Sequence, residues 1–157
     1  MTKARTLIVG VGNADCGDDG AGLVVAELLR NRLKHRDDIE VMQQWGESTG
    51  LVDAMMDRDM VMIIDAACSG VAPGRYRTFD VGATALPSDL ADTSSHGFGV
   101  PQAIEIARAL GTLPRQCRVY AIEGAIFETG TPLSEPVQAS VKLVAEEILQ
   151  LLETTNA

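Results

Sequence analysis

Apolar residues fall along the chain in short unbroken runs that alternate with longer, spaced patterns. Leu7, Ile8 and Val9 form the first run, closed by Gly10, and a run of that length before a glycine reads as a buried strand. The stretch Leu23-Val24-Val25-Ala26-Glu27-Leu28-Leu29 follows as a helix. Charged residues at 34–38 mark a turn, and residues 39–44 read as the second strand. Residues 51–56 have helical character, closed by Asp57, Arg58 and Asp59. Met60, Val61, Met62, Ile63 and Ile64 then run without interruption and end abruptly in Asp65. No periodicity separates the two sides of that run, which suits a central strand covered on both faces.

The connection over residues 66–74 is shorter than a parallel crossover needs, so a strand over 75–81 should run antiparallel to its predecessor and lie near an edge. Val100 and Pro101 open a helix with proline near its first position. Ile104, Ile106, Ala107 and Leu110 supply its apolar face, and Gly111 ends it. Val119, Tyr120, Ala121 and Ile122 form the last strand. From Ser134-Glu135-Pro136 onward, Val137, Val141, Val144, Ala145, Ile148, Leu149 and Leu152 keep helical spacing, so a final helix packs on the sheet. The alternation predicts an α/β fold: a three-layer sandwich with a twisted, mostly parallel five-stranded sheet, one strand antiparallel, flanked by helices. In a flavodoxin-like order the first and third strands are neighbours, and ligands sit at their carboxyl ends.

Length and charge narrow the possibilities. The 157 residues suit one domain over 1–157, with no repeat or linker, burying roughly 70% of its unfolded surface. The 22 acidic and 13 basic residues give a net charge of −9, which disfavours nucleic acid and anionic membranes as partners. The apolar amino terminus is too short for a secretory segment, and no run approaches the ~20 residues of a membrane span; a cytoplasmic location is expected. Cys16, Cys68 and Cys117 are odd in number and lack the spacing of a zinc site or disulfide framework.

The chemistry gathers where strands end. Gly10-Val11-Gly12-Asn13-Ala14-Asp15-Cys16-Gly17-Asp18-Asp19-Gly20-Ala21-Gly22 is a glycine-rich turn between strand and helix. Its adjacent carboxylates suit either helix capping or a site. A dinucleotide fingerprint starting at Gly10 would need glycine where Asp15 stands, and no P-loop lysine follows, so nucleotide or flavin binding ranks low. Cys16, Cys68, Ser94 and Ser95 have no nucleophile elbow around them. Residues 82–99 form a long polar loop carrying Asp92, Ser94, Ser95 and His96, and loops of that length in compact domains are often functional. Asp19, Asp65 and His96 each sit where a strand or loop reaches one sheet edge. Two carboxylates and an imidazole hold one side of a metal ion and leave its other positions open. Each also has a local alternative: Asp65 can bond the turn that follows it, and His96 can be an exposed loop histidine. His35, among Lys34, Arg36 and Asp37, reads as solvated surface.

Gly10-Val11-Gly12-Asn13, Asp18-Asp19-Gly20-Ala21-Gly22, Ile63-Ile64-Asp65-Ala66 and Ser95-His96 before a helix together resemble the hydrogenase maturation endopeptidases over nearly the whole chain. The resemblance implies a five-stranded sheet and a nickel site made by an acidic residue, an aspartate and a histidine, which by position are Asp19, Asp65 and His96. It also implies a nickel-dependent, aspartic-type processing peptidase that removes a short C-terminal extension from the large-subunit precursor of a [NiFe] hydrogenase. The nickel is carried by that precursor and no organic cofactor is expected. Asp19 or Asp65 is the candidate general base. A non-catalytic nickel chaperone or checkpoint protein binding the same precursor is the alternative. One departure stands out: where family members often have an acidic residue followed by Gly-Gly-Thr, this chain has Trp45-Gly46-Glu47-Ser48. The cleft wall there is bulkier, any carboxylate comes from Glu47, and the class of hydrogenase served stays open.

Overall fold

A computed structural model describes residues 3–45, 48–87 and 99–155. Five strands form one sheet: β1 (Thr6–Val11), β2 (Ile39–Gln44), β3 (Met60–Ala67), β4 (Tyr76–Asp80) and β5 (Gln116–Glu123). Among the described residues four helices accompany them: α1 (Ala21–Leu33), α2 (Ser48–Met55), α3 (Val100–Leu110) and α4 (Glu135–Thr155). The strand order is β2-β1-β3-β5-β4. All pairs are parallel except β4 with β5. The antiparallel strand takes the edge as its short connection requires, but it pairs with β5 and not with the strand before it in sequence.

Alternation along each strand divides the core into two layers. Leu7, Val9, Val11, Val61, Ile63 and Val119 face α2 and α3, packing with Leu51, Met55, Ala103, Ile104 and Ala107. Ile8, Met62, Ile64, Tyr120 and Ile122 face α1 and α4, packing with Val25, Leu29, Val141, Val144 and Ile148. Leu7, Ile8, Val61, Met62, Ile63 and Ile64 have no exposed surface, which explains why β1 and β3 show apolar runs without alternation. α1 sits unusually close to the sheet because both contact points lack side chains. A Cβ on Gly10 would collide with the Gly22 carbonyl, and one on Gly22 with the Ile64 and Val11 carbonyls.

Strand and helix bounds differ from the sequence expectation where polar residues end apolar runs. β3 continues through Asp65 to Ala67, and β5 through Glu123. The parallel ladder pairs Asp65 with Ala121 and Ala67 with Glu123, so backbone hydrogen bonding carries these strands past their last large apolar residue. α2 likewise starts at Ser48, ahead of the helical character read from residue 51. At the end of the sheet opposite the carboxyl edge, buried Arg58 donates to Glu40 Oε1 at 2.9 Å and to the carbonyls of Ala4 and Ala54. Among the described residues no helix is long and apolar enough to cross a membrane.

Candidate active site

The turn after β1 is shaped by its own backbone bonds. Gly12 adopts φ 149° and approaches Asp19 so closely that a Cβ would strike the Asp19 carbonyl oxygen; only glycine tolerates both conditions. The Gly12 amide still donates to Gln44 O at 3.0 Å, extending the pairing with β2. The next amide, Asn13 N, donates to Asp19 Oδ2 at 2.9 Å, and the Asn13 side chain accepts from Asp15 N at 2.9 Å, an Asx turn. Gly17–Gly20 then form one turn of 3₁₀ helix that leads into α1.

That 3₁₀ turn changes what the two carboxylates do. Capping of α1 is the local expectation for them, yet the N-cap of α1 is Gly20 and no side chain bonds there. The extra turn carries Asp18 and Asp19 upstream of the cap position, and they point in different directions. Asp18 has no exposed surface. Its Oδ2 accepts from Ala125 N at 2.7 Å, Ile126 N at 3.0 Å and Ser134 Oγ at 2.8 Å, and its Oδ1 from Ser134 N at 2.7 Å. Burial pushes the Asp18 carboxyl up, but the bonds from Ala125, Ser134 and Ile126 together outweigh burial and hold it below the ordinary value of 3.8. Asp18 is therefore an ionised carboxylate satisfied by the protein itself.

Asp19 is 4% exposed and stands at the carboxyl exit of β1. Asp65 stands at the carboxyl exit of the neighbouring β3, partly exposed, one position beyond the Gly10–Ile64 pairing of these strands. By alternation with Val61 and Ile63, Asp65 belongs to the α2/α3 face. Its Oδ1 accepts from Ala66 N at 2.8 Å, so the local bonding expected of an aspartate ending an apolar run is present, made from within a strand. β1 and β3 are where the sheet order reverses, since β2 lies on one side of β1 and everything later on the other. Open parallel sheets bind ligands in the crevice at such a switch point. His96, Asp92, Ser94, Ser95 and Glu47 lie outside the described residues. Among the described residues no three His, Cys, Asp or Glu side chains form a metal-binding group.

Two residues of this edge escaped the sequence analysis. Glu123, which directly follows the apolar run of the last predicted strand, is 3% exposed at the end of β5. It accepts from Ser69 N at 3.0 and 2.9 Å, Ser69 Oγ at 2.6 Å and Gly70 N at 3.3 Å. The available signal was an acidic residue placed directly after an apolar strand, the same signal that singled out Asp65. Asp18 was read only together with Asp19, as a carboxylate pair suited to capping or to a site; nothing local marks its distant partners. Trp45, directly after β2, is 69% exposed and lines the same edge. All three cysteines are free, and burial, with Asp80 nearby, pushes the thiol of buried Cys117 up to about 12.

A family model described as hydrogenase maturation protease matches residues 23–151. The hydrogenase expression/formation protein HoxM of Azotobacter vinelandii is 27% identical over 153 residues, covering 97% of this chain and 74% of that protein. The hydrogenase 2 maturation protease of Escherichia coli is 27% identical over 154 residues, covering 97% of this chain and 93% of that protein. Among solved structures, the hydrogenase maturating endopeptidase HybD from E. coli superposes with a TM-score of 0.76 at 24% identity, covering 96% of this chain and 93% of the other. The [NiFe] hydrogenase maturation protease HycI from Thermococcus kodakarensis gives 0.70 at 22% identity, with the same coverage. The structural likenesses carry the fold, and the family match over most of the length carries the kinship: this chain belongs to the hydrogenase maturation protease family.

Proposed function

We propose that this chain is the endopeptidase that removes a short C-terminal extension from a nickel-loaded [NiFe] hydrogenase large-subunit precursor. The observation that carries the reading is the position of Asp19 and Asp65 at the exits of adjacent parallel strands, at the switch point of the sheet, in a chain of this family. His96 is the third member. It lies in the segment of the sequence that leads into α3. α3 ends at Leu110 shortly before the amino end of β5, so its first residue, Val100, faces the carboxyl edge of the sheet.

In this reading the nickel arrives as part of the substrate. Two carboxylates and one imidazole offer oxygen and nitrogen donors suited to a divalent first-row ion, and Asp19, Asp65 and His96 recognise the loaded precursor through it. The ion contributes Lewis acidity toward the scissile carbonyl. Asp19 or Asp65 takes the proton from the attacking water and returns it to the leaving amine, the work of a general base with access to one water. The three free cysteines suit a reducing compartment, and we place the reaction in the cytoplasm.

Mixing the protein with nickel-loaded and nickel-free precursor and weighing the products tests the reading. Release of a C-terminal peptide from the loaded form alone is the expected result. Loaded precursor that stays whole yet co-purifies with the protein would favour a non-catalytic checkpoint instead.

A further inference from the structure

We propose that Asp18 and Glu123 are positioning residues, two buried carboxylates that fix the spacing between the turn bearing Asp19 and the strand end bearing Asp65. The inference rests on the peptidase reading of those two aspartates. Four consecutive residues at the exit of β5 do the joining. The Glu123 side chain grips Ser69 and Gly70, beyond the end of β3. The Gly124 amide donates to Ala67 O at 2.9 Å, two residues past Asp65. The Ala125 and Ile126 amides donate to Asp18, and Ile126 O accepts from Asp18 N at 2.7 Å. A Cβ on Gly124 would stand 2.8 Å from Asp18 Cβ, so the two backbones meet with no room for a side chain.

The choice of carboxylates is informative. Burying a charge is costly unless every lone pair is met, and a closed loop needs only apolar contact. Asp18 accepts four bonds and Glu123 four, each directional, and neither carboxylate reaches the opening of the cleft with a polar atom to spare. Such a brace holds orientation as well as proximity. Asp19 is covalently next to one anchor, and Asp65 lies two residues before the other backbone tie. Outer partners of this kind typically carry ten- to a hundredfold of affinity or activity, about what a small misplacement of reacting groups costs.

The test compares Asp18→Asn and Glu123→Gln with Ser134→Ala and Ser69→Ala, which remove one hydroxyl bond each and leave the carboxylates in place. Each is assayed for kcat and KM on nickel-loaded precursor at a temperature where circular dichroism shows it folded, and each is titrated with Ni²⁺ alone by calorimetry. Expected are a kcat lowered about ten- to a hundredfold in the carboxamide variants, a smaller fall in the serine variants, KM within about twofold because the brace touches no substrate, and recovery in Ser134→Thr. Folded variants with wild-type kcat and wild-type Ni²⁺ affinity, changed only in melting temperature, would overturn the proposal. If the carboxamide variants do not fold, the two serine variants decide it by the same readouts. Wild-type protein that leaves the precursor uncut would sink the peptidase reading, and the Ni²⁺ titration would then still judge the brace.

Discussion

Asp18 and Asp19 are neighbours in one turn of 3₁₀ helix, yet the first is sealed by the protein's own amides while the second lies at the strand exit. Their substitutions should therefore differ in kind. Asp19→Ala, Asp65→Ala and His96→Ala are expected to abolish processing while leaving the far-UV spectrum unchanged, because Asp19 and Asp65 stand at strand exits and loop-edge side chains seldom carry the core. Unfolding of all three would make them structural residues. Asp18→Asn should instead cost stability, about 2–4 kcal/mol at neutral pH, since a buried ionised acceptor of several bonds is removed. The pH dependence follows from the sign of its shift. A carboxyl held below 3.8 in the folded chain adds stability that is present above that pH and is lost as the pH falls through the folded value. Denaturant melts from pH 7 downward should show the gap between wild type and Asp18→Asn closing below about pH 4; a gap constant with pH would mean that the carboxylate charge is not what matters. At this scale the sequence was partly legible. Asp19 and Asp65 stood out because acidic residues interrupt apolar or glycine-rich context. Asp18 and Glu123 did not, because their partners lie 107–116 and 53–54 positions away and no local pattern encodes them.

The elements owe their placement to two different kinds of signal. Apolar runs and helical spacing located the strands and helices of the described residues other than β4, because both faces of β1 and β3 are covered and each helix shows one face to the sheet. Their ends were less legible: β3 and β5 run on through Asp65 and Glu123 because pairing to a neighbouring strand, invisible in the chain itself, keeps polar residues extended. The antiparallel sense of β4 was legible from a short connection, whereas its partner β5 was not. Arg58, read only as one of the charges closing the second helix, is buried against Glu40 and two carbonyls, partners that the local sequence does not show. The tight seat of α1 gives the clearest prediction for an element. Gly22→Ala drives a methyl group into the Val11 and Ile64 carbonyls, backbone atoms that cannot rotate away, so α1 must lift from the exits of β1 and β3. A loss of about 3 kcal/mol or more is expected, measured by chemical denaturation. A neutral or stabilising result, as an ordinary glycine-to-alanine change in a helix would give, would show that the close approach is not maintained.

For the whole molecule, one sheet orders the chemistry. Parallel strands β1, β3 and β5 send their carboxyl ends to a single edge, so the glycine-rich turn, the end of β3 and the loop after β5 come together although they are spread over most of the chain. The antiparallel β4 and the helices complete the layers and leave that edge to the loops. Trp45 adds an exposed aromatic surface there, and the net charge of −9 disfavours polyanions as partners. The central claim is that Asp19, Asp65 and His96 converge on one nickel ion. It is tested most directly by an anomalous-scattering map at the nickel edge from crystals of the protein with bound Ni²⁺. The account predicts a single peak within coordinating distance of both carboxylates and the imidazole at the carboxyl edge; a peak held by other residues, or His96 found on the opposite side of the sheet, would contradict it.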